Sequence, residues 1–112
     1  MTNLIATRRL RARRPQGEQF EIELGIGQPV RCSDSEWKCS VVLSGLYDRL
    51  ADQHGVDSWQ ALMLAQYLAR YLLEEFVADG GQLWDVETGE AVANIAELFR
   101  AGVHGTPQSR QP

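Results

Sequence analysis

Apolar residues recur at helical spacing over one long stretch of this chain and at alternating spacing over shorter ones. Between Asp57 and Gly80 there is no Pro or Gly. At 100° steps, Trp59, Ala61, Leu62, Ala65, Leu68, Ala69, Leu72, Leu73, Phe76 and Val77 fill about half of a helical wheel. Gln60, Gln66, Arg70, Glu74 and Glu75 fall on the other half. The boundaries carry their own signals. Asp57 or Ser58 supplies a cap, Gln60 follows Asp57 at capping-box spacing, and Val56 is placed to staple against the first turn. Gly80 and Gly81 follow Asp79, where a left-handed glycine closes a helix. The pattern predicts one amphipathic helix of roughly 33 Å. Its alanines predict close approach to another backbone, as a sheet would give.

Alternation predicts strands before that helix. Over 4–14, Leu4, Ala6, Leu10 and Ala12 share one face, with Arg8 out of pattern, and Thr7, Arg9, Arg11 and Arg13 share the other. Pro15-Gln16-Gly17 is a turn signal. Over 18–26, Phe20, Ile22, Leu24 and Ile26 oppose Glu21 and Glu23. Folding the hairpin about Gln16 sets Leu10 opposite Ile22, Ala12 opposite Phe20, Arg11 opposite Glu21 and Arg9 opposite Glu23. A single register thus serves the core face and the charged face. Gly27 to Ser35 reads as a loop. Residues 36–44 read as one strand with Trp37, Cys39, Val41 and Leu43 inward, and 49–54 as a weak fourth. After the helix, 82–85 is a short extended piece. Residues 91–101 suit a short helix with Val92, Ile95, Leu98 and Phe99 on one side, and 102–112 reads as a disordered tail. The predicted architecture is α+β: an antiparallel β-meander of three to four strands with the long helix across one face, then a short C-terminal strand and helix. Residues 1–101 form a single domain on this reading.

Composition adds limits. With 112 residues, 44% apolar and 23% charged, the chain suits one domain with one core. Arg8, Arg9, Arg11, Arg13 and Arg14 precede any acidic residue, and the remainder holds six basic residues against fifteen acidic ones. Such a basic arm suits nucleic acid, but the hairpin register pairs it with Glu21 and Glu23, so nucleic-acid binding is not expected. Gln66, Arg70, Glu74 and Glu75 interrupt the helix too often for a membrane span. The start, MTNLIATRR, carries no apolar run of signal-peptide length, and two cysteines make no disulfide framework, so the expected location is cytoplasmic.

Candidate chemistry is sparse. Cys32, Cys39, His54 and His104 fit no zinc spacing. Cys39 alternates with Trp37 and Val41, which marks it as a core residue. Cys32 sits in the predicted loop with no base nearby in sequence, although a pairing with His54 is one conceivable nucleophile–base arrangement. Glu74 and Glu75 are adjacent on a helix and diverge. Gly25-Ile26-Gly27 lacks the third glycine and following helix of a dinucleotide fingerprint. No metal, cofactor or catalytic set is expected. One feature stands apart from the pattern. Met63, Tyr67 and Tyr71 recur every four residues on the polar half of the wheel. Met and aromatic residues are enriched at interface centres, so these three form a candidate partner surface for a homodimer or a small protein partner.

IATRRLRARRP, followed by a second strand and then HGVDSWQALMLAQYLARYLLEEFVADGG, resembles a family of small bacterial proteins without an assigned function, over roughly residues 4–85. The resemblance implies bacterial origin and single-domain standing. The strand-strand-strand-helix order is also similar to the antitoxins of the HicB type, in which a β-meander and helix bind a small toxin; the DNA-binding appendage of many such antitoxins has no counterpart in 86–112. The expected function is a non-catalytic protein-interaction module, antitoxin-like or immunity-like. The alternative is a small enzyme or ligand-binding domain with a pocket between sheet and helix.

Overall fold

The first hairpin forms in the register that the alternation predicts. The computed structural model describes residues 3–99. Strand β1 (Leu4–Arg13) pairs antiparallel with β2 (Gln19–Gly27), with Leu10 opposite Ile22, Ala12 opposite Phe20, Arg11 opposite Glu21 and Arg9 opposite Glu23. Leu10, Ala12 and Ile22 are fully buried. The turn closes as the Gly17 amide donates to the Arg14 carbonyl at 2.8 Å, with Gly17 at φ +106°. A register shift between Leu4 and Ala6 breaks the expected alternation. Leu4 leaves the face of Leu10 and lies over Gly25, where an added Cβ would stand 2.8 Å from its Cδ1. Ala6 is left exposed.

The stretch read as a loop, 27–35, contains a strand. β3 (Val30–Ser33) pairs antiparallel with β4 (Glu36–Cys39). The segment read as one strand over 36–44 is divided at Ser40. Its first half, β4, belongs to a three-stranded sheet with β3 on one side and β6 (Gln53–Gly55) on the other, and its second half, β5 (Val41–Ser44), to a four-stranded sheet in which β5, β2, β1 and β7 (Gln82–Asp85) follow in that order. Alternation survives the break, since Cys39, Val41 and Leu43 are all buried. What changes is the partner: the Ser40 carbonyl accepts from the Gly27 amide at 2.9 Å, and the chain passes there from one sheet to the other. The weak fourth strand shrinks to β6 (Gln53–Gly55), antiparallel to β4.

Helix α1 (Ser58–Ala78) begins where the cap signals put it. The Gln60 amide donates to Asp57 Oδ1 at 2.8 Å, and Gln60 Oε1 accepts from the Val56 amide at 2.8 Å, one residue before the cap. The Val56 side chain forms no staple and stands exposed. At the far end the Gly80 amide donates to the Val77 carbonyl and the Gly81 amide to the Phe76 carbonyl, the Schellman pattern, with Gly80 at φ +102°. Both the cap and the glycine stop therefore satisfy backbone groups that a helix end would otherwise leave unpaired.

Packing is set by size. Ala61, Ala65, Ala69 and Leu73, spaced by four, are fully buried and lie with Phe76 against the sheets. Small side chains let the helix backbone approach closely. The ring of Phe76 meets Phe20 edge-on at 6.0 Å, and the Arg14 guanidinium covers the other ring at 4.5 Å, tying the hairpin turn to the helix end. Strand β7 (Gln82–Asp85) then returns antiparallel along β1. The predicted helix over 91–101 is shorter. Ala91 bridges to Trp84, the Val92 amide donates to the Leu83 carbonyl, and α2 (Ala96–Phe99) is one turn, with Ile95 buried beside it. The predicted tail, 102–112, lies outside the described residues. The α+β class holds, with antiparallel strands in two sheets and one long helix packed across them.

Candidate interaction surface on the outer face of the long helix

Two parallel ridges run along α1, each with a period of four. The inner one is the alanine ridge in the core. The outer one contains Met63, Tyr67 and Tyr71, and it begins one turn earlier than the wheel suggested, at Trp59. These side chains are 73% (Trp59), 49% (Met63), 69% (Tyr67) and 49% (Tyr71) exposed. Trp59, assigned to the core face by its apolarity, is a correction. With alanine at 61, 65 and 69 setting the helix–sheet gap, an indole just outside that ridge has no room inward. Val77, also assigned inward, is exposed for the same positional reason. The signal for Trp59 was present in the sequence, since it stands four residues before Met63. Val56 and Leu64 widen the patch. No described segment covers Tyr67; α2 touches α1 near Gln66 but leaves Tyr67 exposed, with Leu98 and Phe99 half-buried against the core.

The ridge carries little net charge. Beside it, Arg70 Nε and Glu74 Oε2 form an i, i+4 ion pair at 3.1 Å. Four large side chains with roughly half to three-quarters of their area in water amount to on the order of 500 Å², at the upper end of apolar patches on ordinary monomers.

Elsewhere the candidate groups are engaged or separate. Cys39 is buried and its thiol donates to the Gly27 carbonyl at 3.3 Å. Burial pushes that thiol above its ordinary pKa, with the charge of Asp52 acting in the same direction. Cys32 is exposed on β3. His54 Nδ1 lies 2.7 Å from Glu36 Oε2, and among the described residues no hydrogen bond joins His54 to a cysteine. His104 lies outside the described residues. No three His, Cys, Asp or Glu side chains converge on a metal position among the described residues.

Of the four arginines of β1, Arg8 and Arg9 are matched by carboxylates, as is Arg14 just beyond the strand. Arg8 pairs with Asp85 at 3.1 Å, Arg9 with Glu21 at 3.8 Å and Glu87 at 4.0 Å, and Arg14 with Glu18 at 3.2 Å. Arg9 thus reaches the diagonal Glu21 and not Glu23 opposite, and Arg11 makes no ion pair within 4 Å among the described residues. A cleft of about 420 Å³ opens beside α2, with Leu24, Ile26, Arg8 and Gln66 in its lining. Its one charged group, Arg8, is already held by Asp85. No helix among the described residues is long and apolar enough to cross a membrane.

Residues 6–93 match a family described as a domain of unknown function, DUF6968, and the chain belongs to that family. That match shows no similarity to the HicB-type antitoxins. No curated protein and no solved structure matches the chain significantly.

Proposed function

We propose that this DUF6968 chain is a non-catalytic protein-interaction module, of the antitoxin-like or immunity-like kind, whose contact surface is the outer ridge of α1. The observation that carries this reading is the exposure of Trp59, Met63, Tyr67 and Tyr71 on one ridge of a helix whose other ridge is small and fully buried. Exposing large apolar side chains in a contiguous patch is unfavourable for a free monomer, and such patches mark contact surfaces. Aromatic residues and Met are enriched at interface centres, where a few side chains carry most of the energy. The rigid helix beneath them holds the patch in shape, so little ordering cost attends binding. Two unpaired cysteines suit a reducing compartment, and the bacterial cytoplasm is the setting we assign.

The alternative, a ligand site between sheet and helix, would use the cleft at Leu24, Ile26, Gln66 and Arg8. Its polar groups do not converge on free space, because Arg8 turns to Asp85. The interaction reading is therefore preferred. It is tested by sedimentation of the purified chain and by affinity capture from the source cell, each with wild type and Tyr67→Glu. At least one assembly is expected to disappear in a variant whose circular dichroism is unchanged. If every assembly survives the substitution, the reading is overturned.

A further inference from the structure

We propose that the occupant of the outer ridge is a second copy of this chain, packed antiparallel across a two-fold axis at the level of Ala65; this rests on the interaction reading above. Three features point to a self-complementary contact. First, the ridge is symmetric about that level in the sense an isologous interface needs. Antiparallel packing sets Met63 against the second copy's Tyr67 and Trp59 towards its Tyr71, so each apolar residue meets another. Second, both helices would present a ridge with a period of four. A shallow crossing of about 20°, as in helix bundles, keeps the paired positions in contact along the ridge. Third, the charge and area suit it. Arg70 is neutralised on its own helix by Glu74 at 3.1 Å and faces the second copy's Gln60, so the centre of the contact holds no like-charge pair. Two patches on the order of 500 Å² bury on the order of 1,000 Å² in total, about where specific interfaces begin. That size predicts a modest, concentration-dependent dimer.

The test is sedimentation over a concentration series, with circular dichroism on the same samples. Wild type is expected to dimerise. Tyr67→Glu is expected to raise the dimer dissociation constant by at least about thirtyfold, the effect of losing an interface hot spot. Met63→Lys serves as the second variant should Tyr67→Glu fail to fold. Glu23→Arg, on the opposite face of the four-stranded sheet, is expected to leave the dimer unchanged. The register is read separately in a Cys32→Ser background. An equimolar mixture of Met63→Cys and Tyr67→Cys chains, one of them tagged, is expected to form the mixed disulfide in preference to either homodisulfide. Wild type that stays monomeric to about a millimolar overturns the second copy as occupant and leaves the interaction reading to the capture experiment. A dimer that survives both ridge substitutions overturns the second copy as occupant of the ridge, and the surface reading falls with it only if every captured assembly survives as well. A dimer lost on Tyr67→Glu but without preference for the mixed disulfide overturns the two-fold at Ala65.

Discussion

Gly55 meets the first turn of α1 so closely that a Cβ on it would stand 2.6 Å from the Ala61 backbone nitrogen. The neighbour is backbone, which cannot rotate away. Gly55→Ala is therefore expected to cost about 1–3 kcal/mol, the range for overpacking a filled site. Urea unfolding of the two proteins measures it. An unchanged midpoint would show that β6 and the helix start are less tightly joined than described.

Leu73 is fully buried among the core residues, whereas Leu72 is only partly buried. Leu73→Ala should lose about 2–5 kcal/mol. Leu72→Ala should lose clearly less, and Gln66→Ala, on the exposed side, under about 0.5 kcal/mol. Equal losses at 72 and 73 would mean that the helix is rotated relative to this packing.

The charged face of the hairpin makes its own forecast. A double-mutant cycle on Arg9 and Glu21, 3.8 Å apart, should show a coupling of about 0.2–1 kcal/mol that fades with added salt. The cycle on Arg11 and Glu21, opposite in register but without an ion pair, should be additive. The reverse outcome would place the Glu21 carboxylate on the wrong arginine.

Asp57 caps the helix through a 2.8 Å bond from the Gln60 amide. Asp57→Ala should cost about 1 kcal/mol, while Asp57→Asn, which keeps the accepting oxygen, should stay within a few tenths. Thermal melts of the pair decide it. A large loss with asparagine would assign the effect to charge instead of to the hydrogen bond.

The two cysteines should differ in reactivity. Cys32 is exposed and should react with a thiol reagent in the native protein, and Cys39 only after unfolding. Burial raises the Cys39 pKa, so the folded state holds that proton more tightly than the unfolded chain does. The resulting stability is fully present below the unfolded thiol value, about 8.5, and is lost as pH rises through the folded value. Wild type should accordingly lose stability more steeply above that pH than Cys39→Ala does. Parallel pH profiles would remove the effect.

Local patterns determined the hairpin register, the caps and the length of α1, because those features depend on side chains near one another in sequence. Leu10 could face Ile22 only if Arg9 faced Glu23, and Gly80 could close the helix whatever packed on it. The Met63–Tyr67–Tyr71 ridge was legible by the same local spacing. The split at Ser40 was not. Alternation from Trp37 to Leu43 is the same whether a strand keeps one sheet or crosses between two, and only the distant Gly27 amide decides it. Nor was β3, whose four residues are all exposed and so leave no burial pattern. Trp59 shows the remaining reason. Its apolarity argued for the core, but the place of a side chain depends on the room available. That room was set by three alanines pressed against a sheet, which no periodicity can measure.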